Sequence, residues 1–235
     1  MSRETRSPPR PKRRVRRPEF VRALTRAGAW LTFAALAVGT ALLGAAMRLY
    51  PGGSVAAPDR QGHSFWLNYL CDLTNDTAVN GASNAGGSAV ARAGMLTLSV
   101  TLGLVWLILP RLLEGGRWSK GLARWGGVLC ALGLIAVPSA NGGLHAPVIL
   151  ATVVPGLAAM GTALVGLARA GRRGLLGLAL CVLVVSVVGA AVYAAKVAGW
   201  LSAAAPVVPA SQRIAALLLV TWMAAVAAAV LRAEA

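Results

Sequence analysis

Between positions 64 and 76, four polar side chains recur at every fourth residue: Ser64, Asn68, Asp72 and Asp76. A spacing of four places residues on one face of an α-helix. Phe65, Tyr69 and Leu73 then form a neighbouring apolar face, with Trp66 and Leu70 beside it. Ser64 is a suitable N-cap, so the stretch predicts an amphipathic helix. Such a helix lies at a membrane interface with its aromatic side down, or across the mouth of a helix bundle with its polar face inward. Asn80-Gly81 and Ser83-Asn84 follow as turn-forming pairs.

Two carboxylates gathered with an imidazole and a cation are equipped for acid–base chemistry or for holding a polar headgroup. His145, Asn141, Tyr193 and Lys196 fall in segments expected on the same side as this stretch. The candidate ligand-binding set is Ser64, Asn68, Asp72, Asp76, Asn84 and His145, with Asp72 and His145 the candidates for a catalytic base. A structural alternative stands beside it: the two aspartates pair with Arg92 or cap loops, and His145 is an interface residue at a helix start. No metal or cofactor is expected. The chain has 3 Cys and 2 His, with no CxxC or comparable ligand spacing. Cys130 and Cys181 fall inside apolar runs, and Cys71 has no second cysteine on its side for a disulfide.

The elements that must position these residues are membrane helices. The 235 residues are 57% hydrophobic and 13% charged, with a mean hydropathy of +0.68. That balance leaves a water-soluble fold too little polar surface, which excludes soluble-enzyme and disulfide-scaffold classes. A span needs about 20 apolar residues, and six stretches qualify, at about 27–47, 93–109, 122–138, 147–167, 174–195 and 214–231. The third is the weakest, because Arg124 must snorkel to the interface. The first is expected to be an uncleaved helix rather than a signal peptide, being longer than an ordinary h-region. The fold class is thus all-α: one six-helix transmembrane domain over 27–231, a disordered basic tail over 1–26, and a short C-terminus at 232–235.

Charge sets the orientation. Ten of the 23 basic residues precede position 27, four lie at 110–124, three at 168–174, and Arg232 near the end. Only five, Arg48, Arg60, Arg92, Lys196 and Arg213, fall in the alternate loops. The positive-inside rule then puts both termini in the cytoplasm of a multi-pass inner (plasma) membrane protein. The net charge of +16 is read as a topology signal, with the tail resting on anionic lipid headgroups. Nucleic-acid binding is not expected, since the remaining charges are scattered between apolar runs.

The stretch Tyr50-Pro51-Gly52-Gly53, then Ser64-Phe65-Trp66, Asn68-Tyr69-Leu70-Cys71-Asp72-Leu73, Asn80-Gly81 and Asn84 resembles the prokaryotic six-helix membrane proteins catalogued as domain of unknown function 998. The resemblance covers about 27–231 and is carried by the loop after the first helix. Cys71 stands where many relatives have Ser, and Thr74 where Gly often follows. The resemblance implies the six-helix architecture and no reaction. More remotely, the chain is similar in architecture to six-helix autophagy-modulator and lipid-remodelling proteins. The paired-histidine motif of membrane ceramidase-like hydrolases is absent.

Together these features predict a bilayer-embedded protein that binds or senses a lipid or small ligand at its outer face. An enzyme acting on lipid headgroups and a structural or assembly partner are the alternatives. A transporter would want ionisable residues at mid-membrane, and the six apolar stretches offer no obvious one.

Overall fold

A computed structural model describes residues 17–136, 145–202 and 205–234. Six long helices run through them: α1 (Arg17–Leu49), α2 (Ala85–Ile108), α3 (Arg117–Ala136), α4 (His145–Arg169), α5 (Arg173–Val197) and α6 (Val207–Ala233). Five of them are long and apolar enough to cross a membrane; α3, which carries Arg117, Lys120 and Arg124 in its first two turns, is the sixth. The chain is an all-α bundle of polytopic membrane character, as its composition dictates. Each helix packs on its neighbours in sequence, and α1 returns against α6, with α2 also touching α6.

The ends of the helices follow from local chemistry. Pro18 occupies the first turn of α1, where its missing N–H costs nothing. Pro51 bars Tyr50 from helical geometry, so α1 stops at Leu49. Pro110 sits in a 3-10 turn that ends α2. Pro155 lies inside α4, where it removes one helical hydrogen bond.

Several boundaries differ from the sequence expectation. The helix α1 reaches back to Arg17, so positions 17–26 are helical rather than disordered tail. Its backbone goes on satisfying itself in helix beyond the apolar stretch. The helix α2 begins at Ala85, not 93, and α6 at Val207, not 214. Apolar content marks where a helix enters lipid, not where it starts. The last consequence matters most, because Arg213 becomes a helical residue instead of a loop charge.

The core is centred on two indoles. Trp106 of α2 and Trp222 of α6 lie 5.5 Å apart, tilted at 53°, and both are buried. The Trp106 ring packs directly on Gly127 of α3, where any side chain would overlap it. Small residues at such crossings let membrane helices close up.

Residues 50–84 form a cap over one end of the bundle. The expected amphipathic helix at 64–76 is not formed. A two-stranded antiparallel hairpin comes first, β1 (Gly52–Ser54) and β2 (Ala57–Gln61). One isolated turn follows at 64–68, and then a four-residue 3-10 helix, Cys71–Thr74. The physical reason is competition for backbone N–H groups: the Asp72 side chain takes that of Tyr69 and the Gln212 side chain that of Leu70, which stops the helical ladder from propagating. Gly53, at φ +82°, abuts the Asn80 backbone and the Pro58 carbonyl, which demands glycine twice over.

Candidate functional site

The cap is built around Asn68, whose side chain is fully buried. Its Oδ1 accepts from the Ser64 backbone N–H at 2.8 Å. Its Nδ2 donates to the Gly53 carbonyl at 2.7 Å and to Asp72 Oδ2 at 3.1 Å. Asp72, 7% exposed, also accepts the Tyr69 N–H on Oδ2 at 2.8 Å. The Asn68 and Asp72 side chains therefore meet, on two tight turns rather than one helical face, and Ser64 joins them through its backbone N–H. Asp76 does not join them, because the chain goes extended at Asn75, just after the 3-10 helix.

The far side of this cluster is closed by α6. Arg213 is 2% exposed. Its Nε donates to the Phe65 carbonyl at 3.0 Å, and Nη2 donates to the Asn68 carbonyl at 3.2 Å. The same Nη2 lies 3.1 Å from His63 Nε2, and the guanidinium sits 5.3 Å over the Phe65 ring. Gln212 beside it accepts the Leu70 N–H at 2.8 Å. From α5, Lys196 Nζ donates to the Tyr69 hydroxyl at 2.8 Å. No salt bridge to Arg213 or Lys196 is formed among the described residues.

This environment sets the proton affinities. Burial pushes the Asp72 carboxyl up, partly opposed by the Asn68 amide, the Tyr69 N–H, Arg213 and Lys196. Burial, helped by Arg213, lowers His63 to about 4, so the imidazole is neutral at neutral pH and accepts from the guanidinium. Tyr50 packs edge-on against His63 at 5.8 Å. Its hydroxyl accepts the Val79 N–H at 3.1 Å.

A second cluster fastens the cap to α2. Arg92 donates through Nε and Nη2 to the Thr74 carbonyl at 3.1 and 2.8 Å, and pairs with Asp76 Oδ1 at 3.0 Å. Ser88 donates to the same Asp76 oxygen. These two bonds hold the exposed Asp76 carboxyl below its ordinary range, Ser88 first and Arg92 second. Asn84 bridges the two clusters, donating to the Leu73 and Asn75 carbonyls at 3.2 and 2.8 Å. Its buried Oδ1 has no partner among the described residues and faces Gly87.

Five of the six candidate ligand residues are thus in the cap, in two linked clusters. His145 opens α4, but its side chain lies outside the described residues, as does Asn141. The residues that sequence reasoning missed are Arg213, Gln212, His63 and Ser88. By sequence, Arg213 reads only as a loop charge and His63 only as one of two histidines too few for a metal site. One signal was available: Gln212-Arg213 stands directly before the apolar run of α6.

Chemically, the cluster holds a carboxylate with raised proton affinity, a neutral imidazole and two cations facing the turn at 65–70. Phe65 and Trp66 project from the same turn, with Trp66 52% exposed. No family model, curated protein or solved structure matches the chain.

Proposed function

We propose that the chain is a multi-pass protein of a bacterial plasma membrane whose cap binds an anionic lipid headgroup or small anionic ligand on the extracytoplasmic side. All six helices cross the bilayer in this reading, α3 by snorkelling its basic first turns to the interface, and both termini are cytoplasmic. The supporting asymmetry is that the cap end holds 5 of the 23 basic residues. A bacterial source is favoured by residue usage, with 20 Arg against 3 Lys in an Ala-rich chain. The cap residues that resemble domain of unknown function 998 support membership of that family.

One observation carries the binding reading. Arg213 is almost wholly buried, yet its hydrogen-bond partners are two carbonyls and an imidazole. A buried cation ordinarily has a counter-ion. Lys196 reaches the same turn with a phenol as partner, so two cations share one carboxylate, Asp72. An anion beside Lys196, with Phe65 and Trp66 resting in the headgroup layer, completes the balance.

The test is a photoreactive amino acid at position 66 in intact membranes. The expected product is a phospholipid or small anionic adduct, identified by mass spectrometry and reduced severalfold by Lys196→Gln. No ligand adduct, or an adduct indifferent to Lys196→Gln, would overturn the reading. A second reading, a cap serving only as structure or as an assembly surface, is favoured by Asn68, whose amide is spent on intramolecular bonds. It expects a protein adduct at position 66 instead.

A further inference from the structure

We infer that the groove between the start of α5 and the end of α6 is a binding site for an anionic phospholipid, independent of the cap and at the opposite end of the bundle. A cavity of about 570 Å³ opens there, within the size range of ligand pockets. Its rim carries Arg172, Arg173 and Arg232, and its wall is made by Leu175, Ala225 and Ala229. All three arginines are exposed. None of them makes a side-chain hydrogen bond or ion pair among the described residues. Glu234, the acidic residue nearest Arg232 in sequence, is held 3.5 Å from Arg22 of α1 instead.

The arrangement is built by the chain itself. Gly171, at φ +66°, ends α4 and turns the backbone, with the Arg172 N–H returning to the Leu167 carbonyl at 3.0 Å. That tight reversal sets Arg172 and Arg173 at the head of α5, where the last turn of α6 brings Arg232 alongside. Below the rim, Ala225 and Ala229 lie one helical turn apart and leave a shallow slot on a helix apolar enough to span a membrane. Guanidinium groups match phosphate oxygens in charge and geometry. Basic pockets between membrane helices are suited to acidic headgroups. A free phosphate would use the rim alone; the small apolar wall beneath it selects a phosphate that carries an acyl chain.

The test is native mass spectrometry of the full chain in detergent, titrated with phosphatidylglycerol or with phosphatidylcholine of the same acyl chains. One phosphatidylglycerol should bind at least about tenfold more tightly than phosphatidylcholine, and the combined variant Arg172→Gln/Arg173→Gln/Arg232→Gln should remove that one binding event. Ala225→Trp, which keeps every charge but fills the slot, should also weaken binding, and it decides the matter should the triple variant fail to fold. In a Lys196→Gln background, which removes any lipid held by the cap, the three arginine substitutions should still remove a bound phosphatidylglycerol, which separates this site from the cap. Equal affinity for the two lipids, or unchanged binding by Ala225→Trp, would overturn the inference. So would competition by glycerol phosphate at lipid concentrations, or an equal loss from Arg10→Gln/Arg13→Gln/Arg14→Gln in the tail.

Discussion

The two ends of the bundle use charge in opposite ways. At the cap end, five basic and three acidic residues are present; Arg213 is buried and committed to carbonyls and His63, Asp72 is buried and committed to Asn68 and Tyr69, and the exposed Arg92 is held by Thr74 and Asp76. At the other end, basic residues are more numerous, and Arg172, Arg173 and Arg232 stand exposed without partners among the described residues. A buried charge must be met by fixed hydrogen bonds or a bound counter-ion, because bulk water and salt cannot reach it. An exposed one costs little to leave unpaired and remains available to a ligand. Charge density at a surface and structural work per charge are separate quantities in this molecule. The end poorer in charge is the one whose fold depends on it.

The sharpest way to break this comparison is to remove one arginine from each end. Arg213→Met should lower stability by about 3 kcal/mol, since it leaves the Phe65 and Asn68 carbonyls buried and unpaired. Arg173→Gln should stay within about 0.5 kcal/mol of the parent. Thermal unfolding in detergent reads both, and equal losses would erase the contrast.

A smaller effect is expected from pH. His63 is lowered to about 4 from 6.5, so the unfolded chain takes up a proton in that interval while the folded cap does not. Its contribution to stability is complete above about 6.5 and is lost as pH falls toward 4. Asp72, with its raised carboxyl, works in the opposite sense and offsets part of that loss. Protection of residues 50–84 against hydrogen exchange, taken relative to intrinsic exchange at each pH, should therefore fall over this interval, and His63→Gln should flatten the response. An unchanged slope in that variant would assign the effect elsewhere.

The smallest change belongs to Asp76→Asn. Its carboxylate is exposed, and its bond with Arg92 is open to screening by salt. Arg92 keeps both bonds to the Thr74 carbonyl. The melting temperature should be indistinguishable from the parent at moderate salt. A clear drop would make the second cluster as critical as the first.

Much of this site was legible in the chain. The repeat Ser64, Asn68, Asp72 marks two side chains that meet, Asn68 and Asp72, with Ser64 joining through its backbone N–H, and Asn84 lies in the same loop. The element differs from the periodic expectation because side-chain acceptors, invisible to a periodicity count, capture the backbone donors that a helix would need. Arg213 was misjudged because apolar content locates the part of a helix in lipid, while α6 begins seven residues earlier than the expected 214, at Val207.

By itself, the sequence determined the class of object. Apolar stretches of spanning length leave a chain no alternative to helices in lipid, because every backbone polar group must be satisfied within its own segment. It also determined the uneven sharing of charge between alternate loops, a matter of counting. Only the tertiary structure decided which charges are buried, because burial depends on what arrives from distant segments. Arg213 of α6 and Lys196 of α5 lie more than a hundred residues beyond the turn at 65–70 that they hold. No local pattern encodes that meeting; the packing of α5 and α6 beneath the cap does.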